Sequence, residues 1–187
     1  MIRRRDFQFF LIGGLFASGI TLIVVGLMYG TDATLAMRSI IAPPVFNIPS
    51  EINRDFAIDI IDRTNIERKK VNLQSLKENS ALSYAAYLRA KDILDNLDFS
   101  HVATMSGEIK AQKVIKIVGY RYSEAGENLA MGIDDPNEVV AQWLASPGHR
   151  DNTLSKSFNE TGVAVLSGEF QGQKDTYIVV QLFGKVI

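Results

Sequence analysis

The 187-residue chain has no cysteine, only two histidines, one tryptophan and five prolines. Without cysteine no disulfide can staple the fold, which excludes a small secreted module held by bridges. A thiol nucleophile and a thiolate metal site are excluded as well. An exported domain of this size can instead rely on its own core. An excess of charge of either sign is also missing. Twenty basic residues stand against 21 acidic ones, and setting aside Arg3 to Arg5 and Asp6 leaves 17 against 20. This mildly acidic balance is not the footprint of a nucleic-acid binder, so no nucleic-acid partner is expected. No serine sits in a G-x-S-x-G elbow, and no internal repeat or low-complexity tract interrupts the chain.

One stretch lacks charge altogether. The 25 residues between Asp6 and Asp32, "FQFFLIGGLFASGITLIVVGLMYGT", would make a helix about 37 Å long, enough to cross a hydrocarbon core of about 30 Å. Arg3, Arg4 and Arg5 precede it and no comparable basic cluster follows closely. The amino terminus is therefore expected in the cytoplasm and the rest outside, as a single-pass cell-membrane protein. A cleaved signal peptide is the rival reading. Its apolar core is normally only about 7–15 residues, and Thr34 and Ala36 make a poor cleavage site. The expected plan is an anchor over residues 1–31, a proline-containing linker over 32–52, and an extracellular domain over 53–187.

Within that domain the periodicity is helical first. Phe56, Ile60 and Ile61 recur at helix spacing in a segment ending at Lys70. Leu82, Ala86, Ala90 and Ile93 share a face of a second helix, with Ser80 as the expected cap. A third helix is expected over about 106–118. A fourth begins at Pro136 with Asp135 as cap. "ENLAMG" reads as a short strand, and "GVAVLSG" and "TYIVVQLFG" as an antiparallel hairpin around residues 162–168 and 175–184. Helices followed by strands point to an α+β domain with helices packed on a sheet.

The residues able to carry chemistry are few. His101 lies just after a helix end in "LDFSHVATMSG", Glu127 opens a strand in "AGENLAMG", and His149 lies in "SPGHRDN". Two neutral imidazoles and a carboxylate can form a metal site with an open position, or can serve acid–base chemistry. Their separations, 26 and 22 residues, match no short metal motif, and each has a plain structural alternative. Glu127 could equally cap backbone amides or pair with Arg150, and Trp143 reads as core. Pro147 is expected to end the fourth helix, with Gly148 allowing a turn that aims His149.

Read together, "NIERKKVNLQSLKENSALSYAAYLRAKDI", "FSH", "GENLAMG", "VVAQWLASPGHRDNTL", "FNETGVAV" and "YIVVQLFG" resemble the CAP superfamily of cysteine-rich secretory, antigen 5 and pathogenesis-related proteins. The version here is similar to the bacterial, SCP-like extracellular branch. The resemblance implies a three-layer α-β-α sandwich with a central, mainly antiparallel sheet. It also implies a cleft lined by His101, Glu127 and His149, able to hold a divalent cation such as zinc. Ser146 stands where animal and plant members carry a further glutamate. Asn128 and Arg150 join Ser146 as supporting residues, and Asn152 with Arg150 is expected to hold the turn. Asn65 and Arg68 match an N-x-x-R pattern expected to be structural.

Three functions follow as expectations. The first is a non-enzymatic module that binds a ligand, a lipid or a cell-envelope partner. The others are a metal-dependent hydrolase using the same cleft and a purely structural envelope domain. No catalytic residue is assigned and no organic cofactor is expected.

Overall fold

The computed structural model describes residues 46–102 and 109–187. The expected anchor and most of the expected linker lie outside the described residues. Among those described, no helix is long and apolar enough to cross a membrane.

Helix α1 (Arg54–Lys70) starts where the Asn53 side chain accepts from the Phe56 amide, and its last turn carries Arg68, Lys69 and Lys70, which suit the negative end of the helix dipole. It buries Phe56, Ala57, Ile60, Ile61 and Thr64, one stripe at three- and four-residue spacing. Strand β1 (Lys77–Glu78) follows. Helix α2 (Ser80–Asn96) is capped by Asn79 rather than the expected Ser80, because the Asn79 side chain accepts from both the Ala81 and Leu82 amides. Ile109 is extended and bridges to Val102, so helix α3 (Lys110–Ile117) begins after the expected position.

Strand β2 (Tyr122–Met131) precedes helix α4 (Pro136–Ala145), which Asp135 caps as anticipated. The next element corrects an expectation. Pro147 does end α4, but it also opens a new helix, α5 (Pro147–Thr153). Proline suits a first helical position because its missing N–H would have no partner there. Gly148 is helical and has no positive φ, so it makes no turn. The break falls on Ser146, which is extended at φ −92° and ψ 123°.

Strands β3 (Glu160–Phe170) and β4 (Gln173–Val186) form the hairpin. They are longer than expected, and the turn between them is only Gln171-Gly172. Both residues have positive φ, 50° and 86°, as a twist-matched two-residue turn requires. The four-stranded mixed sheet runs β1-β3-β4-β2, with β1 parallel to β3 and the other two pairs antiparallel. The hairpin is therefore central, and Val163, Val165, Ile178 and Val180 are fully buried.

Alternation along the strands divides the helices between two faces. Gly162 and Gly168 face α2, touching Leu82 and Leu94. Gln181, opposite Val163, turns the other way and hydrogen-bonds Thr64 of α1. Helices thus cover both faces of the sheet. The domain also reaches back into the expected linker, since Phe46 stacks on Tyr84 with ring centroids 5.3 Å apart and Ile48 packs on the core.

The α2–β3 contact leaves no room at Gly162, where an added Cβ would lie 2.1 Å from the Ser83 nitrogen. Gly162→Ala should cost roughly 3 kcal/mol or more. Gly148→Ala meets open space in a helix and should stabilise by up to about 1 kcal/mol. Urea unfolding followed by circular dichroism measures both. Equal effects would contradict the α2–β3 packing and the assignment of α5.

Candidate functional site

The site is built along β2, an edge strand whose successive side chains point to opposite layers. Asn128 is fully buried on the α5 side. Its Nδ2 donates to the His149 carbonyl at 3.1 Å and to Thr153 Oγ1 at 3.0 Å. Asn152 returns the contact, with Nδ2 donating to the Glu127 carbonyl and to Asn128 Oδ1, each at 3.0 Å. These bonds seat α5 on the strand and fix where His149 begins. Gly126 explains the "GEN" pattern physically. A Cβ there would lie 2.8 Å from Asn152 Oδ1 and 3.0 Å from the Phe158 ring.

Glu127 points to the other layer and meets α2. Its Oε1 accepts from Arg89 Nε at 3.0 Å, and its Oε2 lies 2.5 Å from His101 Nδ1. The Arg89 side chain is entirely buried and that of Glu127 is 5% exposed. Arg89 also donates to Asp92 Oδ2 at 3.0 Å and to the carbonyl of Ser100, the residue before His101. The loop is held further by the Lys110–Asp98 ion pair and by the Ser100 hydroxyl, which donates to Asp98 at 2.6 Å.

His101 and His149, from opposite layers, therefore meet over the edge of β2. Their ring centroids are 6.1 Å apart and the planes are tilted by 51°. Burial is the main cause that holds the His149 imidazole below its usual range. Repulsion from His101 adds to this, and Glu127 partly opposes it.

The structure thus brings His101, Glu127 and His149 together. Of the supporting residues, Asn128 and Asn152 touch them directly. Ser146 separates α4 from α5, and its carbonyl accepts from the Arg150 amide at 2.8 Å. The Arg150 side chain is exposed, and Glu127 pairs with Arg89 instead, an arginine that sequence reasoning passed over. The signal was present: Arg89 falls on the apolar face of α2 between Ala86 and Ile93, where a charge requires a buried partner. Asn65 and Arg68 have the structural roles expected of them. Asn65 exchanges hydrogen bonds with the Leu76 backbone, and Arg68 donates to the carbonyls of Gln74, Thr153, Ser155 and Phe158.

A three-donor metal centre does not fit this arrangement. Among the described residues, no group of three or more His, Asp or Glu side chains could hold a metal ion. Glu127 Oε1 accepts from Arg89 and Oε2 faces His101, so the carboxylate that the resemblance offers to a cation is engaged by protein partners here.

A model of the CAP family, the cysteine-rich secretory protein family, matches residues 61–183. The chain belongs to this family. It is 36% identical over 116 residues to the uncharacterized protein YkwD of Bacillus subtilis (strain 168), covering 62% of this chain and 44% of that protein. The uncharacterized membrane protein YlbC of the same strain is 33% identical over 106 residues, covering 57% and 30%. The match therefore spans less than half the length of either curated relative.

Among solved structures, an outer surface protein from Borrelia burgdorferi aligns with a TM-score of 0.60 and 25% identity, covering 72% of this chain and 95% of that one. An extracellular protein containing an SCP domain from Bacillus anthracis str. Ames aligns with a TM-score of 0.60 and 27% identity, covering 83% and 50%. The CAP assignment agrees with the α+β architecture found here, a mixed four-stranded sheet with five helices among the described residues.

The lowered affinity of His149 for a proton has a consequence for stability. The unfolded chain takes up that proton near pH 6.5, while the folded chain resists it, so stability is full above about 6.5 and falls as pH drops below it. Between pH 7.5 and 5.5 the native protein should lose more stability than His149→Gln, as measured by thermal melting. Equal losses would contradict the burial of a neutral imidazole.

Proposed function

We propose that this CAP domain is a non-enzymatic binding module displayed outside the cell, and that its cleft takes an amphiphilic ligand. The observation that carries this reading is the apolar wall beside His149. Both Glu127 oxygens are engaged by Arg89 and His101, so the carboxylate itself serves the frame of the cleft. Beside His149 lies a depression of about 350 Å³ whose apolar wall includes Phe99, Leu129, Met131 and Trp143, with Gln142, Ser146 and His149 as polar lining. An acyl chain matches the wall and a polar head matches the imidazoles.

Decan-1-ol and p-nitrophenyl decanoate separate binding from turnover. Decan-1-ol should bind saturably, shifting Trp143 fluorescence, and Met131→Glu should weaken that binding at least tenfold. The ester should not be cleaved above the rate of heat-denatured protein. Cleavage that disappears in the His101→Ala, His149→Ala double variant would favour the hydrolase instead.

The same reading includes an uncleaved anchor over residues 7 to about 30, with Arg3 to Arg5 cytoplasmic. It is supported by the uncharged run and its basic flank. YlbC is named a membrane protein, and the Borrelia relative is named an outer surface protein. Amino-terminal sequencing of membrane-extracted protein should find the native start. A start near Met37 would mean that the segment is a removed signal.

A further inference from the structure

Arg89 makes more contacts than a neutralising charge requires. One guanidinium reaches Glu127 on β2, Asp92 on its own helix and the Ser100 carbonyl beside His101. Its Nε takes Glu127 Oε1, which leaves Oε2 as the oxygen that faces the imidazole. A carboxylate only accepts hydrogen bonds, so a partner nitrogen 2.5 Å away must carry the proton. An imidazole whose Nδ1 is protonated keeps its lone pair on Nε2.

We infer that Arg89 is the positioning residue of the cleft: by holding the Glu127 carboxylate against His101 Nδ1, it sets that histidine as the Nδ1–H tautomer with an acceptor at Nε2. The ligand class follows from this. His101 accepts, so it suits a ligand carrying a hydroxyl, amide or ammonium donor. This last step rests on reading the cleft as a binding site. The tautomer itself is measured with no ligand present, so the two can fail separately.

The arrangement makes a specific demand on Glu127→Gln. Arg89 has only donors, so it should keep the amide oxygen for itself. The amide NH2 then faces His101 and requires a lone pair at Nδ1, which forces the Nε2–H tautomer. Removing the arginine as well, in Arg89→Met with Glu127→Gln, frees the amide to rotate and should abolish that preference.

The chain holds just two histidines, so ring-¹⁵N histidine labelling of the full chain yields two resolvable sets of signals. At pH of about 8.5, well above the ordinary imidazole range near 6.5, native His101 should show a protonated Nδ1 and a lone-pair Nε2. In Glu127→Gln these two signals should exchange positions while those of His149 stay in place. In the double variant the exchange should be lost. A native Nε2–H form, an imidazolium or an equal mixture overturns the inference. So does a folded Glu127→Gln chain with unchanged His101 signals, or an exchange that persists in the double variant. Should Glu127→Gln not fold, Arg89→Lys replaces it. Lysine carries its donors on one nitrogen and cannot span the positions of Arg89 Nε, Nη1 and Nη2, so the carboxylate is held less firmly. A mixture of His101 tautomers is then expected, and an unaltered single tautomer contradicts the role of Arg89.

Discussion

A fully buried arginine facing a nearly buried glutamate is the constraint around which this domain is arranged. Neither charge tolerates burial alone, and an ion pair withdrawn from water holds only when its remaining hydrogen-bonding positions are filled. Here they are filled from three directions. Helix α2 supplies Arg89 and Asp92, the loop behind it supplies the Ser100 carbonyl and His101, and β2 supplies Glu127. The pair thereby fastens the His101 loop and the edge strand to one helix. The polar centre of the cleft and the joint between layers are one network.

A second buried arginine works by different means. Among the described residues Arg68, at the end of α1, meets no carboxylate and donates to four carbonyls, three of them at Thr153, Ser155 and Phe158 on the path from α5 into β3. Burial lowers its pKa accordingly. Arg68 holds the segment that follows α5, and Asn128 with Asn152 holds α5 itself. His149 is thus placed from the far side of the sheet while His101 is placed from the near side. Among the described residues every buried side-chain polar atom finds a partner, which accounts for two histidines from separate layers meeting at a defined distance.

Much of this was legible in the residues. The stripes Phe56–Ile60–Ile61 and Leu82–Ala86–Ala90–Ile93 marked two helices that bury those faces, and the β-branched runs near the end marked a hairpin that proves central. His101, Glu127 and His149 were legible through the motifs around them. The two-residue β1 was not, because "KE" carries no apolar pattern and pairs only through its backbone with Glu160 and Thr161. Helix α5 was hidden because proline and glycine usually signal a break, and here Ser146 is the break. Arg89 stood out as a charge on an apolar face, but its partner was hidden because it lies 38 residues away, and only the fold places a carboxylate opposite that turn of α2.

The most direct measurement of this organisation is a double-mutant cycle between Arg89 and Glu127, using Arg89→Met, Glu127→Gln and the pair together in urea unfolding. Each single change leaves a buried partner uncompensated and should cost about 3–5 kcal/mol. The double variant should cost less than the two together, by at least about 1.5 kcal/mol. Additive losses would contradict a cleft organised by this ion pair.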